Sequence, residues 1–362
     1  MASTGLDFSK ITPDNGAVRE LSKLLFLNVL DADISAIGQI TTVLTGVHKG
    51  DKVVGIGEFG AIGKKGGGCN PEYDNVLINT VEKEWKIEQW TVDLGLCYND
   101  VKDTLVKYAM RWDKDVADLT SSDYLIDVVE PRLQSAIEKA VVRMMFLGDT
   151  AAAHISGSGG GNITAGKDLK LFTTCDGFFK RVEAIAAEKP ASRVTIEANA
   201  KTTYAEQMNG IRTSGVAMKI FDDMIFAASG ALIGASDKVI IATRSLADAL
   251  AKDIRDNNKG SELQWQSIMN GVDVATYDGI TVVRMPMLDD LISEFNNTGT
   301  ALVNPHRAIL TTKNNLLLGT PSDDIFYDFD VWFDRTDQKN YISGKGWLDT
   351  QILDDNLVIS AF

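Results

Sequence analysis

From Ile126 to Leu147 the apolar residues fall at Ile126, Val129, Leu133, Ile137, Ala140, Val141, Met144 and Leu147. This three-and-four spacing lines one face of a helix. Asp127, Arg132, Glu138, Lys139 and Arg143 take the other face. Ser121 and Ser122 offer N-caps, Asp123 and Asp127 suit the positive helix end, and Gly148 follows the last apolar position. A helix over Asp123–Leu147 would run about 37 Å, about twice the usual length. Pro131 either kinks it or marks its first turn. The strut over 122–148 separates extended, glycine-rich sequence from alternating strands and helices, although a core helix of an ordinary domain shows the same pattern.

Ahead of the strut, residues 1–15 are polar, and Val18, Leu21, Leu25 and Val29 predict a short helix over Gly16–Leu30. Asp31–Val47 reads as an irregular link. KVVGIGEF (Lys52–Phe59) predicts an outgoing strand and EWKIEQWTVDLGL (Glu84–Leu96) a returning one. Trp85 and Ile87 share one phase and Trp90, Val92, Leu94 and Leu96 the other, so a β-bulge is expected between Ile87 and Trp90. The tip between the strands holds Gly60, Gly63, Lys64, Lys65, Gly66, Gly67 and Gly68 and can bury little. A two-stranded ribbon is at best marginally stable alone. It needs its own body or another subunit, and a neighbouring subunit is the expected support, with the tip as the candidate contact. Asn99–Trp112 predicts a helix leading to the strut.

Beyond the strut, Ser156–Gly161 is a Gly/Ser loop, Thr174–Glu188 is helical up to Lys189-Pro190, and Tyr204–Ala228 is a helical stretch broken near Gly210 and Gly215. A compact α/β region follows. Val239–Ala242 is a strand, and Ser245 with Asp248 resembles a capping box opening LADALAKDI. Val272–Val274 and Ile280–Val283 flank the tight turn Tyr277-Asp278-Gly279, and Asp289 and Asp290 precede a short helix. Ala308–Thr311 and Leu316–Leu318 read as a strand pair turned at Asn314-Asn315. Ile325, Tyr327, Phe329, Val331 and Phe333 alternate in a long strand, with Tyr341–Leu353 returning beside it.

Composition changes the picture in three ways. With 362 residues, 44% hydrophobic and 24% charged, the chain can build more than one core. No apolar run reaches membrane-spanning length, and the start MASTGLDFSK lacks a basic stretch followed by an apolar one, so no membrane and no general secretory export are expected. Cys69, Cys97 and Cys175 are far apart and His48, His154 and His306 form no pattern with them, so neither a metal site nor a disulfide framework is expected. A net charge of −14 disfavours tight or sequence-specific DNA binding, while suiting a protein that encloses nucleic acid without sticking to it.

Catalytic motifs are weak. Gly55-Ile56-Gly57-Glu58-Phe59-Gly60 is a literal GxGxxG after Val53-Val54, the pattern that admits a pyrophosphate, but helix breakers follow where a helix must start. GNITAGK (Gly161–Lys167) matches the start of a phosphate loop, yet Asp168 stands where Ser or Thr would hold magnesium. Asp222-Asp223, Asp289-Asp290 and Asp323-Asp324 point apart as neighbours and suit caps or solvated surface. His306 has no recognisable nucleophile near it in the sequence. No catalytic residue and no cofactor are assigned, and the chain is expected not to be an enzyme.

The order of elements resembles the major capsid protein of tailed bacteriophages, with the Hong Kong ninety-seven phage type of fold. The resemblance covers about residue 15 onward. It is carried by layout and by VATYDGITVVRMPMLDDLI (274–292), NPHRAILTTKNNLLLGT (304–320) and WKIEQWTVDLGLCYND (85–100). It implies an α+β fold with an N-terminal arm (1–45), an extended β-ribbon or E-loop (46–98), a peripheral domain with the spine helix (99–235), a compact axial α/β domain (236–318) and C-terminal strands returning to the peripheral domain (319–362). It further implies hexamers and pentamers forming an icosahedral shell around double-stranded DNA, with a portal among the partners. A charged helical leader is absent from the sequence, so a separate scaffolding protein is expected. Some members are cross-linked through Lys and Asn; Lys64 and Lys65 lie in a suitable loop, but no pair is assignable and uncross-linked chains are expected. An encapsulin-like cargo shell, and an α/β nucleotide-binding enzyme using Gly55–Gly60, are the alternatives.

Overall fold

The computed structural model describes residues 40–59, 78–97, 130–156, 160–257, 263–269, 272–321, 326–334, 336 and 339–362. In chain order these form β1 (Thr42–Leu44), β2 (Lys52–Phe59), β3 (Ile78–Glu84), β4 (Glu88–Cys97), α1 (Glu130–Leu147), α2 (Phe178–Glu188) and β5 (Arg193–Val194). Next come α3 (Tyr204–Ile211), α4 (Val216–Ala227), α5 (Gly230–Gly234), β6 (Lys238–Thr243), α6 (Arg244–Asn257), β7 (Gln266–Met269), β8 (Val272–Tyr277), β9 (Ile280–Met285) and α7 (Pro286–Phe295). The last five strands are β10 (Ala308–Thr312), β11 (Leu316–Gly319), β12 (Phe326–Asp334), β13 (Lys339–Ile352) and β14 (Val358–Ala361).

A seven-stranded sheet in the order β5-β14-β10-β6-β9-β8-β7 organises the larger cores. Its central strands β6 and β10 are buried along nearly their whole length because both faces are covered. Along β6 the side chains alternate between two cores: Val239 and Ile241 join α1, α2 and α7, whereas Ile240 and Ala242 join α3, α4 and α6. Segment 236–318 supplies five of the seven strands, β6 to β10; β5 and β14 come from outside it. The turn between β8 and β9 has Asp278 at φ 47° and Gly279 at φ 73°, the paired left-handed conformation that an Asp-Gly hairpin needs.

The described part of the spine, α1, buries Leu133, Ile137, Val141, Met144 and Leu147 as the spacing predicts, and its last turn is buried all round. The expected start at Asp123 lies outside the described residues. Gly148 follows the helix because the backbone of 175–177 passes against it: a Cβ there would lie 2.5 Å from the Cys175 carbonyl oxygen. The break between α3 and α4 falls at Gly215, with φ 80°.

Several expectations are corrected. The ribbon partner of β2 is β3, pairing Lys52 with Glu84 through Ile56 with Thr80, and not Glu84–Leu96. That segment instead contributes β4, which runs antiparallel to β13 from Cys97 opposite Lys339 to Glu88 opposite Leu348. The phase change at Ile87 is a break between two strands, Trp85-Lys86-Ile87, and not a bulge. β10 and β11 do not pair: β10 lies between β6 and β14, while β11 joins β1 and β13 in a five-stranded sheet, so Lys313–Asn315 carries the chain from one sheet to the other. α7 begins at Pro286, with Asp289 and Asp290 inside it. The α6 amides of Arg244 and Ser245 are capped from outside, by the Asp289 carboxylate at 2.5 and 3.0 Å, and not by a Ser245–Asp248 box. β12 and β13 pair as expected, with a register shift between Tyr327 and Phe329.

Candidate functional site

The ribbon β2–β3 is a separate two-stranded sheet, so its footing on the body sets where it points. Trp85 and Ile87, just past β3, are buried at 1% and 5% exposure against Leu317, with Leu44, Val47, Val53, Trp347 and Leu353 around them. The Trp85 N–H donates to the Asp51 carbonyl (2.9 Å), and its own carbonyl accepts from Gly50 N–H (3.0 Å), which ties both ribbon strands together at the base. Lys52 pairs with Glu82 at 3.0 Å, Lys49 with Glu88, and Lys83 with Asp355.

Beneath this footing lies a buried polar node. From α2, the Arg181 guanidinium donates to Asp349 Oδ1 (2.9 Å), Gln351 Oε1 (3.0 Å) and Thr350 Oγ1 (3.1 Å), three consecutive residues of β13. Asp349 Oδ2 accepts from Lys86 N–H (2.8 Å) and Gln351 Nε2 donates to the Glu84 carbonyl (2.9 Å). One helix, one long strand and the ribbon base are thereby joined. Burial pushes the Asp349 carboxyl up, against the pull of Arg181 and the Lys86 and Thr350 amides. Asp349 and Gln351 share a face of β13, as i and i+2 positions must; polar residues there, between buried Leu348 and Ile352, are the only sequence signal of the node.

The predicted tip residues Gly60, Gly63, Lys64, Lys65 and Gly66 lie outside the described residues. In the GxGxxG stretch, Gly55 and Gly57 lie within β2, and Gly55 stands opposite Val81 of β3, so they occupy a paired strand and not a strand-to-helix turn. In GNITAGK, Lys167 pairs with Glu294 (2.9 Å) over the Phe295 ring, and Asp168 caps the short turn Leu169–Leu171. Asp222 accepts from the Tyr277 hydroxyl at 2.7 Å. The structure does give His306 a hydroxyl neighbour: Ser245 Oγ lies 2.8 Å from Nδ1, with Nε2 3.2 Å from the Gln207 carbonyl. Nε2 therefore carries the proton and Nδ1 accepts from Ser245. His306 is fully buried and burial lowers its pKa to about 4, so the pair braces α6 against α3 inside a core. Among the described residues no group of His, Cys, Asp and Glu is placed to hold a metal ion, and no described helix is long and apolar enough to cross a membrane.

No protein-family model and no curated protein matches the chain. Solved structures do. A chain of the satellite phage P4 procapsid including the size determination (Sid) protein is 11% identical, with 94% of this chain and 98% of that chain covered at a TM-score of 0.51. A chain from Mycobacterium phage Ogopogo is 12% identical, with 90% and 91% covered, also at 0.51. The chain has the tailed-phage capsid fold. In that fold's terms β2–β3 is the extended loop and α1 the spine helix, and the Arg181–Asp349 node lies where the loop leaves the body.

Proposed function

We propose that this chain is a major capsid subunit that assembles as hexamers and pentamers into an icosahedral shell around phage double-stranded DNA. The observation that carries the proposal is the match of nearly the whole chain to nearly the whole of a procapsid chain. The ribbon supports it physically: two strands outside both larger sheets, fastened at the base among the described residues, gain their stability from a neighbour. In this reading 1–45 is the arm, 46–98 the extended loop, 99–235 the peripheral domain, 236–318 the axial domain and 319–362 the returning strands. The last strand of 46–98, β4, runs into the body sheet beside β13, and β14 of the returning strands joins the axial sheet. The chain acts without catalysis. Its partners are itself, a separate scaffolding protein, a portal and DNA held without sequence preference, and it is made in the host cytoplasm before entering the virion.

Light scattering after size exclusion, with negative-stain microscopy of each peak, tests the proposal. Rings of five or six, or hollow particles, support it; nuclease-protected DNA inside particles from infected cells separates a genome shell from an enzyme-cargo shell. A small oligomer whose melting temperature rises with a nicotinamide cofactor would overturn it. Deleting Gly60–Gly68, the tip segment, is expected to leave a folded subunit that makes no closed shells.

A further inference from the structure

Helix α4 buries Ala217, Ile220, Phe221 and Met224 and turns Lys219, Asp222, Asp223 and Phe226 to the surface. Phe226 is 93% exposed, against 50% for Val54 and 47% for Tyr204. Its surroundings are apolar too. Met224–Ser236 is a run of uncharged residues in which Ala227, Gly230 and Ala231 are exposed and Ile225 and Ile233 half-buried. Single exposed apolar residues are ordinary, but a phenylalanine on a patch of small residues marks a contact surface.

The opposite end of the same helix is its complement. There Val216 and Met218 are half-buried, among the exposed bases Arg212, Lys219 and Arg255. This end is rigid, because Asp253 Oδ2 accepts from the Ala217 and Met218 amides (3.0 and 3.3 Å) and Asn257 reaches Met218 Sδ (3.4 Å). An acid-edged phenylalanine and a base-edged apolar seat, about 15 Å apart along one helix, meet only between copies. Such a head-to-tail contact builds a ring where its rotation closes and an open filament where it does not. Each copy carries a net charge of −14, so the approach needs a local match of opposite charges.

We propose that Phe226 seats on Val216 and Met218 of the next copy of this chain, with Asp223 facing that copy's Arg212 and Lys219. The contact rests on the shell reading and deepens it by naming where adjacent subunits of a ring meet. The test compares the full chain with Phe226→Ser, with Asp223→Lys, and with Asp223→Lys combined with Arg212→Glu and Lys219→Glu, by sedimentation, negative stain and melting temperature. Each of the first two variants is expected to melt like the wild type and to associate at least about tenfold more weakly, while the combined reversal regains rings. Rings from Phe226→Ser at wild-type yield overturn this contact and leave the shell reading standing. An unfolded Phe226→Ser chain also overturns it, by assigning the side chain to its own core. A wild-type chain that forms neither ring nor particle even when co-produced with its scaffolding protein overturns the shell reading itself.

Discussion

Gly319, the last residue of β11, lies against the face of Trp85. A Cβ at this position would stand 2.5 Å from Cζ3, 2.8 Å from Cε3 and 2.9 Å from Cη2 of the indole. Carbon atoms pack at about 3.5–4.0 Å. The ring is confined: Trp85 is 1% exposed and packs with Ile87 and Leu317, and its backbone is fixed to Asp51 and Gly50. Gly319 is outside the left-handed region, so an alanine there meets a steric cost and no backbone one. Gly319→Ala is therefore expected to destabilise the chain by about 1–3 kcal/mol, the range for overpacking a filled site. If the indole is the obstacle, shortening it removes the penalty. In a Trp85→Leu background the same alanine should cost little, giving a coupling energy of about 1–3 kcal/mol. Urea unfolding of the four proteins measures the cycle, and amide exchange at Trp85 reports whether the ribbon base loosens with it. Effects that add to within about 0.5 kcal/mol would refute the argument.

Two further outcomes follow from the buried polar groups. His306 has a folded pKa of about 4, below its usual 6.5, so as pH falls the unfolded chain takes up the proton first; its contribution is present above about 6.5 and is lost toward 4, up to about 3 kcal/mol. His306→Gln should flatten that part of the stability profile between pH 7 and 4, and parallel profiles for the two proteins would refute the assignment. Asp289→Ala removes the acceptor for the first two α6 amides and should cost about 1–2 kcal/mol, with faster hydrogen exchange at Arg244 and Ser245 as its local sign; unchanged exchange there would count against the cap.

Local chemistry made some features readable in the sequence. Asp278-Gly279 announces its hairpin because two successive left-handed residues favour that pair, and Gly215 separates α3 from α4 for the same reason at one position. Long-range pairing was less readable. The ribbon's true return strand, INTVEKE, has only two strongly apolar residues, Ile78 and Val81, whereas the apolar EWKIEQWTVDLGL draws attention and belongs largely to a different sheet. Its partner β13 lies about 250 residues away, as Ser343 opposite Asp93 illustrates, and no local periodicity encodes such a choice. Asn314-Asn315 does turn the chain, but a turn signal does not say whether the next strand joins the same sheet. The node depends on Arg181 meeting Asp349, 168 positions on, so the sequence shows only polar residues, Asp349 to Gln351, between the apolar Leu348 and Ile352.

Val358–Ala361 enters the seven-stranded sheet between β10 and β5, and Phe362 adds hydrogen bonds from its amide to Val194 and from Ile196 to its carbonyl. During synthesis this strand emerges after every partner it joins. Until then β5 has no place in the sheet and β10 has one edge open, a template for pairing with another chain. The subunit thus cannot complete that layer on the ribosome before Val358–Ala361 is free, and a chain lacking this strand would keep the β10 edge open and be routed to aggregation or proteolysis.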